Sequence, residues 1–239
     1  MSYPREDIYQ RELALLGADA LARLAESRVA VFGVGGVGSY AVEALARSGV
    51  GHLLLVDFDT VAVSNINRQL CALHSTVGMA KVDVMAARIA DIDPACQVTV
   101  VKDFIDENTN LDVLLSGVDY LIDAIDHVPA KISLICYAVQ HQLPVISAMG
   151  AGRRLDPAKL AVADISQTHG CPLARNIRKN LREKGISSGV KVIFSSEQAM
   201  PVEPGQLGSI AFVPSVAGLL MASEAVKDLA GLGKKEKQV

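Results

Sequence analysis

Gly33-Val34-Gly35-Gly36-Val37-Gly38 follows a β-branched run, Arg28 to Phe32, and precedes a segment with helical spacing, residues 39–47. A strand, a glycine turn and a helix in this order place bare backbone N–H groups at a helix N-terminus. Phosphate binds well there, because the N–H groups are free and the helix dipole favours negative charge. The candidate cradle residues are Gly33, Gly35, Gly36 and Gly38. The stretch therefore predicts a nucleotide-binding site.

A second strand pattern, His52 to Val56, ends at Asp57, which is placed to accept hydrogen bonds from a ribose hydroxyl. Further strand and helix patterns alternate along the chain as far as residue 152. This alternation predicts a doubly wound, Rossmann-like α/β fold, with a mostly parallel sheet and helices on both faces. Ligands of such sheets bind at the carboxyl ends of the strands.

Composition favours one domain over residues 1–239, with a nucleotide-binding half at about 28–150 and a substrate-side half at about 151–232. The four cysteines form no CxxC pair, which suits a reducing cytosol and argues against a zinc ribbon. The N-terminus lacks the apolar core of a signal peptide. The longest apolar stretch, residues 210–222, is broken by Pro214 and is too short to span a bilayer. We therefore expect a cytoplasmic protein without membrane contact.

Polar residues after Asp57 indicate which nucleotide is bound. A hydride-transfer site has no need for a guanidinium and an ammonium beside the first phosphate, whereas cleavage of a triphosphate does. Arg68 offers a planar fork and Lys81 a point charge to a departing pyrophosphate, and Asp126 is placed to hold magnesium on the phosphates. The candidate set is Asp57, Asp59, Ser64, Asn65, Asn67, Arg68, Gln69, Lys81, Asp126 and His127. Alternatively, Arg68 and Lys81 are solvated charges and Asp59 caps a turn.

These motifs resemble the adenylating domain of the ubiquitin-activating-enzyme-like superfamily, which includes ThiF, MoeB and HesA. The resemblance runs from about Tyr9 to about Leu229 and implies an enzyme that joins a carboxylate to AMP, using ATP and Mg²⁺ and releasing pyrophosphate. It implies ribose binding by Asp57, and phosphate binding by Asn67, Arg68 and Lys81. It also implies magnesium binding by Asp126. By the same resemblance, Arg11 reaches the ATP of a partner subunit, so we expect a homodimer.

Other segments distinguish branches of this superfamily. Members that activate a ubiquitin-like carrier protein usually have two CxxC zinc pairs and Thr-Asp-Asn where this chain has Ile125-Asp126-His127. Residues 121–126, 150–152, 155–157 and 192–197 are instead similar to the tRNA threonylcarbamoyladenosine dehydratase group (TcdA or CsdL). That resemblance implies adenylation and ring closure of threonylcarbamoyladenosine in the anticodon loop of tRNA. It leaves open a sulfur-relay or cysteine desulfurase partner.

A basic stripe offers a surface for RNA. Laid on a helix, residues 173–184 place four cations on one face, opposite Leu173, Ala174, Ile177 and Leu181. Two arginines that follow a predicted fifth strand at residues 143–147 extend this face. The candidate RNA contacts are therefore Arg175, Arg178, Lys179, Arg182, Arg153 and Arg154. The alternative is an ordinary amphipathic helix whose basic face is exposed to solvent. Cys171, at the start of this helix, is either an acyl carrier or a small N-terminal residue.

Three other functions remain open on the sequence alone. One is adenylation of the C-terminal carboxylate of a ubiquitin-fold carrier protein, which the missing zinc pairs disfavour. Another is a nicotinamide oxidoreductase, which Asn67, Arg68 and Lys81 disfavour. The last is a nucleotide-sensing scaffold without catalysis, although no expected phosphate ligand is missing.

Overall fold

The computed structural model describes residues 3–203, 206 and 208–232. Its helices are α1 (Arg5–Ile8), α2 (Gln10–Leu16), α3 (Ala18–Glu26), α4 (Gly38–Arg47), α5 (Lys81–Ile92), α6 (Leu111–Leu114), α7 (Val128–Gln140), α8 (Pro172–Glu183) and α9 (Phe212–Leu229). Its strands are β1 (Arg28–Phe32), β2 (His52–Val56), β3 (Gln97–Val101), β4 (Tyr120–Asp123), β5 (Val145–Ala148), β6 (Leu160–Asp164) and β7 (Lys191–Ser195).

The seven strands form one sheet in the order β3-β2-β1-β4-β5-β7-β6. The pairs from β3 to β7 are parallel, and only the edge strand β6 runs antiparallel to its neighbour β7. Because the order reverses between β1 and β4, the carboxyl ends of these two strands flank a crevice where ligands of doubly wound sheets bind. The prediction of a mostly parallel, doubly wound α/β fold is confirmed.

Helices cover both faces of the sheet, as its apolar strands require. In β1, Val29 and Val31 belong to the core that also contains side chains of α3, α4, α5 and α9. Ala30 and Phe32 point the other way, into the core shared with α6, α7 and α8. The alternation follows from the period of two in a strand. Both faces of β1 are therefore fixed by apolar packing directly below the glycine turn.

The sequence patterns locate the elements closely and miss two details. The N-terminal segment bends at Gly17, and a further break at Tyr9 divides it into three helices. Tyr9 is buried, and its hydroxyl lies within hydrogen-bond distance of two acceptors, the Ala46 carbonyl at 2.8 Å and the Asp93 carboxylate at 2.9 Å. The short helix α6 was not predicted, because its four residues are too few to show a helical period.

Packing of α9 on α4 depends on a glycine. A Cβ atom on Gly218 would lie 2.1 Å from the carbonyl oxygen of Val37 and 3.0 Å from the backbone nitrogen of Ala41. The two helices therefore touch backbone to backbone immediately after the glycine turn. This contact ties the closing helix to the start of α4, where the phosphate site is expected.

We predict that Gly218→Ala destabilises the protein by about 1–3 kcal/mol, because the methyl group overpacks the contact between α4 and α9. Helix propensity alone predicts the opposite sign, since alanine is favoured over glycine inside a helix by about 1 kcal/mol. Urea unfolding measures the change. The control is Leu219→Ala, at an exposed neighbouring position. A Gly218→Ala protein as stable as the wild type would contradict the close contact.

Candidate active site

The glycine turn after β1 is closed by backbone contacts. Gly33 has φ of +83°, and a Cβ there would lie 2.7 Å from the carbonyl oxygen of Ala124, at the end of β4. A Cβ on Gly38 would lie 1.7 Å from the Gly33 carbonyl oxygen. No larger residue fits either position, so α4 begins directly above the end of β1. The first turn of a helix has free N–H groups, which suit an anion at this end of α4.

Asp57 is bound to this turn. One carboxylate oxygen accepts from the backbone N–H of Val34 at 2.6 Å, and the other accepts from the N–H of Asp59 at 2.9 Å. The side chain is half-buried at the carboxyl end of β2. A carboxylate oxygen has a second lone pair, so Asp57 can still accept from a ribose hydroxyl. It also fixes the glycine turn.

The loop after β2 lies against the glycine turn. A Cβ atom built on Gly36 would lie 3.6 Å from the Cγ atom of Arg68. A Cβ atom built on Gly35 would lie 3.6 Å from the side-chain nitrogen of Gln69. The backbone N–H of Leu70 donates to the hydroxyl of Ser39, in the first turn of α4. Arg68 and Gln69 are therefore brought to the phosphate cradle.

The Arg68 guanidinium is oriented by its neighbours. It donates to the Ser64 carbonyl at 2.7 Å and to the Asn67 side-chain oxygen at 2.9 Å. The amide nitrogen of Asn67 donates to the Ser209 carbonyl, just before α9. Asn65 is buried and accepts the N–H of Ala62, which holds the loop in shape. No carboxylate of the described residues forms an ion pair with Arg68, so its charge is available to an anion.

Lys81 opens α5, where the sequence places it. Its ammonium group lies 2.6 Å from an Asp59 carboxylate oxygen, and its side chain is only 5% exposed while that of Asp59 is 47% exposed. The ion pair holds the lysine in place, and it assigns Asp59 a structural partner. Because the lysine is already buried, its ammonium group would lose little further hydration when a phosphate oxygen binds it.

Asp126 and His127 follow β4 on the opposite side of the crevice from the loop after β2. Both side chains are exposed, and His127 is the residue just before α7. The His127 ring lies 5.1 Å from the ring centre of Phe104, which lies 5.0 Å from that of Phe58. The sequence analysis did not select Phe58 and Phe104. The signal in the sequence is the position of Phe58 directly after Asp57, the predicted ribose ligand.

The loop after β5 contains an unusual pair of arginines. Arg153 has φ of +58°, and its backbone is held by Gly208 on one side and Met200 on the other. Arg154 is buried, so the structure does not present it to RNA. Glu197, after β7, accepts the N–H groups of Leu155 and Asp156 and so holds the loop. Two segments of the dehydratase resemblance thus form one hydrogen-bonded unit.

Helix α8 has the predicted amphipathic pattern. Ala174, Ile177 and Leu181 are buried. The exposed cations are Arg175, Lys179 and Arg182. Arg178 instead donates to the carbonyl groups of Ile165 and Thr168 and to the Thr168 hydroxyl, so its guanidinium is used inside the fold. The candidate RNA surface on this helix is therefore narrower than the sequence indicates.

Arg11 is exposed on α2. The preceding residues hold that helix to the C-terminal end of α4, through the Tyr9–Ala46 bond. The glycine cradle lies at the other end of α4, about 15 Å away for a helix of this length. The structure therefore does not bring Arg11 to the phosphate site of its own chain.

Two cysteines lie near the crevice and are buried. Cys171 accepts the N–H of Ala174 at 3.5 Å as the cap of α8, and its sulfur lies 3.4 Å from the Cβ position of Gly150. Burial raises the pKa of the Cys71 thiol to about 11, so this group stays protonated at neutral pH. The capping role is the simpler reading of Cys171.

The fold and the site define a Rossmann-like nucleotide-binding protein, with Arg68 against its glycine turn and a buried lysine, Lys81, paired with Asp59 in the following segment. Residues 9–239 match the model of the ThiF family. The chain belongs to the ThiF family.

Named relatives agree with this assignment. The chain is 47% identical over 238 residues to the tRNA threonylcarbamoyladenosine dehydratase of Bacillus subtilis, covering 92% of this chain and 94% of that protein. It is 31% identical to the molybdopterin-synthase adenylyltransferase of Escherichia coli, and the match covers 95% of this chain and 83% of that protein. Crystal structures of the Escherichia coli dehydratase TcdA match with TM-scores of 0.91 for the AMP complex and 0.89 for the ATP complex. These structures are 37% and 38% identical to this chain, and each match covers 97% of both chains.

Proposed function

We infer that this chain is an ATP-dependent tRNA threonylcarbamoyladenosine dehydratase. The observation that carries this inference is the 47% identity to a protein of that name along nearly its whole length. The site agrees with it, because a glycine cradle, an acid at the end of β2 and a cationic loop suit a nucleoside triphosphate. The ATP and AMP complexes of TcdA support ATP as the nucleotide.

The reaction has two steps on the substrate carboxylate. First, a carboxylate oxygen attacks the α-phosphorus of ATP, and the bond from that phosphorus to the bridging oxygen breaks with loss of pyrophosphate. A nucleophilic atom of the threonylcarbamoyl group then attacks the activated carbonyl carbon and expels AMP. The ring closes with net loss of water. No enzyme nucleophile is needed, which agrees with the buried, capping position of Cys171.

We propose that Arg68 and Lys81 stabilise the pyrophosphate as negative charge develops on it. Arg68 is held at the cradle by Ser64 and Asn67, so little reorganisation is needed when the bond breaks. Lys81 is fixed by Asp59 at the start of α5. Ser64, Asn65, Asn67 and Gln69 are assigned to shaping this loop rather than to charge neutralisation. Asp57 is assigned to the ribose, and His127 to the edge of the nucleotide site.

Asp126 is the proposed magnesium ligand. The described residues contain no group of three metal-ligating side chains, which excludes a cage built only from them. Mg²⁺ does not need such a cage, because it binds through one or two carboxylates together with substrate phosphates. An exposed carboxylate beside the cradle fits this coordination. When bound, the ion would neutralise phosphate charge.

Arg175, Lys179 and Arg182 are the proposed contacts to the tRNA backbone, with Arg153 between them and the nucleotide site. Three exposed cations on one helix give a local positive surface on a chain of net charge −3. Arg154 and Arg178 are assigned to holding the fold. No sulfur-relay or cysteine desulfurase partner is included, because Cys171 is buried.

We propose that the working unit is a homodimer of one-domain chains in the cytoplasm. Arg11 is exposed and remote from its own cradle, while Leu13 and Leu15 on the same helix are exposed apolar residues. A second copy that covers them would bring Arg11 toward a neighbouring site. All four cysteines are free thiols, in keeping with a reducing compartment. The described helices include none that is long and apolar enough for a membrane span.

We expect purified protein to form AMP and pyrophosphate from ATP and Mg²⁺ only when tRNA bearing threonylcarbamoyladenosine is added. Coupled pyrophosphate detection and chromatography of AMP measure the reaction. Unmodified tRNA is the matched control. AMP formation with a ubiquitin-fold carrier protein, and none with the modified tRNA, would favour the adenylyltransferase activity instead. No ATP use with either substrate would overturn both.

Arg68→Ala is expected to lower kcat by about 10²–10³-fold, because one preformed electrostatic donor is lost from the transition state. Thermal unfolding should change little, since the guanidinium contacts only its own loop. Arg11→Ala should also be inactive if this residue completes the partner's site. Mixing the two variants would then restore activity, because one site of each mixed dimer has both arginines intact. No recovery in mixed dimers of demonstrated composition would exclude the role across the dimer.

Replacing Arg175, Lys179 and Arg182 together by Gln is expected to weaken tRNA binding and to flatten its dependence on salt. The reason is that fewer counterions are released when fewer phosphates are neutralised. ATP affinity should be unchanged. The matched control is a triple exchange of Lys102, Lys159 and Lys227, which removes the same charge elsewhere. An equal loss with the control would point to net charge rather than to this helix.

A further inference from the structure

A buried charged cluster lies behind the nucleotide crevice and has no assigned role. Lys131 of α7, Asp123 at the end of β4 and Ser147 of β5 are all fully buried. The Lys131 ammonium donates to an Asp123 carboxylate oxygen at 2.7 Å and to the Ser147 hydroxyl at 3.2 Å. Ser147 donates to the same Asp123 oxygen at 2.6 Å. Such a cluster is costly to desolvate and gives little net stability compared with apolar packing.

The second oxygen of Asp123 connects the cluster to the site. It accepts the backbone N–H of Ile125 at 3.3 Å, which shapes the turn over residues 123–126. The carbonyl of Ala124, in the middle of this turn, is the group that leaves no room for a side chain at Gly33. Asp126 ends the same turn. One side of the phosphate cradle therefore rests on a turn held by buried charge.

We propose that Lys131, with Asp123 and Ser147, is a positioning residue for adenylation. By fixing the turn over residues 123–126, it holds the Ala124 peptide against the glycine cradle and sets the carboxylate of Asp126 toward the phosphates. The proposal rests on the proposed function, because it assumes that the cradle binds ATP. A simple stabilising role would predict a loss of folding without a selective effect on ATP.

The test uses Lys131→Met, which keeps the length of the side chain and removes its charge. Because that variant leaves Asp123 as a buried unpaired acid, the double variant Lys131→Met with Asp123→Asn restores neutrality. Asn keeps an oxygen for the Ile125 N–H. The control is Lys191→Met, which breaks an ion pair with Glu224 and Asp228 of α9, on the face of the sheet opposite α7.

The measurements are the thermal midpoint, the ATP dissociation constant by calorimetry, and kcat with the KM values for ATP and for modified tRNA. We expect the double variant to lose about 10- to 100-fold in kcat/KM for ATP, typical of removing a group that orients a ligand. Its ATP affinity should also fall, while the KM for tRNA stays unchanged. Lys191→Met should lower the thermal midpoint without changing ATP binding.

Two results separate failure of this proposal from failure of the function. If wild-type protein binds ATP and acts on modified tRNA, but the folded double variant matches it in ATP affinity and turnover, the positioning role is wrong. Equal losses in ATP affinity for Lys191→Met and the double variant would also overturn it, since general destabilisation would then explain both. If wild-type protein does not bind ATP, the proposed function itself fails.

Discussion

The site depends on one backbone contact, the approach of the start of α4 to the end of β1. The Gly33 carbonyl lies where a side chain on Gly38 would be. The Ala124 carbonyl lies where a side chain on Gly33 would be. Three backbone segments therefore meet without side chains between them. This brings N–H groups of the helix start within reach of a phosphate and fixes the distance between β1 and β4. The polar groups around the crevice take their positions from this contact.

Hydrogen bonds and an ion pair within the chain hold the charged groups of the site in place. Asp57 bonds the turn, Arg68 is held by Ser64 and Asn67, and Lys81 is paired with Asp59. Side chains already fixed lose little entropy on binding, and their charges need not reorganise as pyrophosphate forms. The buried cluster around Lys131 supports the opposite wall of the crevice by the same principle. Rigidity here comes from hydrogen bonds rather than from bulky side chains.

Much of the fold could be predicted because the spacing of apolar residues and the positions of glycine and proline indicate the same elements. The strand before Gly33 is β-branched, and the alternating core contacts of Val29 and Ala30 follow from its geometry. The motifs also place Arg68 and Lys81 after Asp57, and the binding of phosphate by these two residues stays a prediction. By contrast, the internal use of Arg178 and the burial of Arg154 depend on contacts distant in sequence, which helical spacing cannot report. The cluster of Lys131, Asp123 and Ser147 was missed for the same reason.

Residues 208 and 209 touch both halves of the site. The Ser209 carbonyl holds Asn67, which orients Arg68, and the Gly208 carbonyl holds the backbone of Arg153. If tRNA binds beside Arg153, as proposed above, a displacement that one ligand causes in this short segment also reaches the side that receives the other. Thermodynamic linkage makes such an effect mutual. If bound nucleotide raises the affinity for RNA by some factor, bound RNA raises the affinity for nucleotide by the same factor. Cooperativity between two substrates can therefore reside in a pair of adjacent peptide carbonyls.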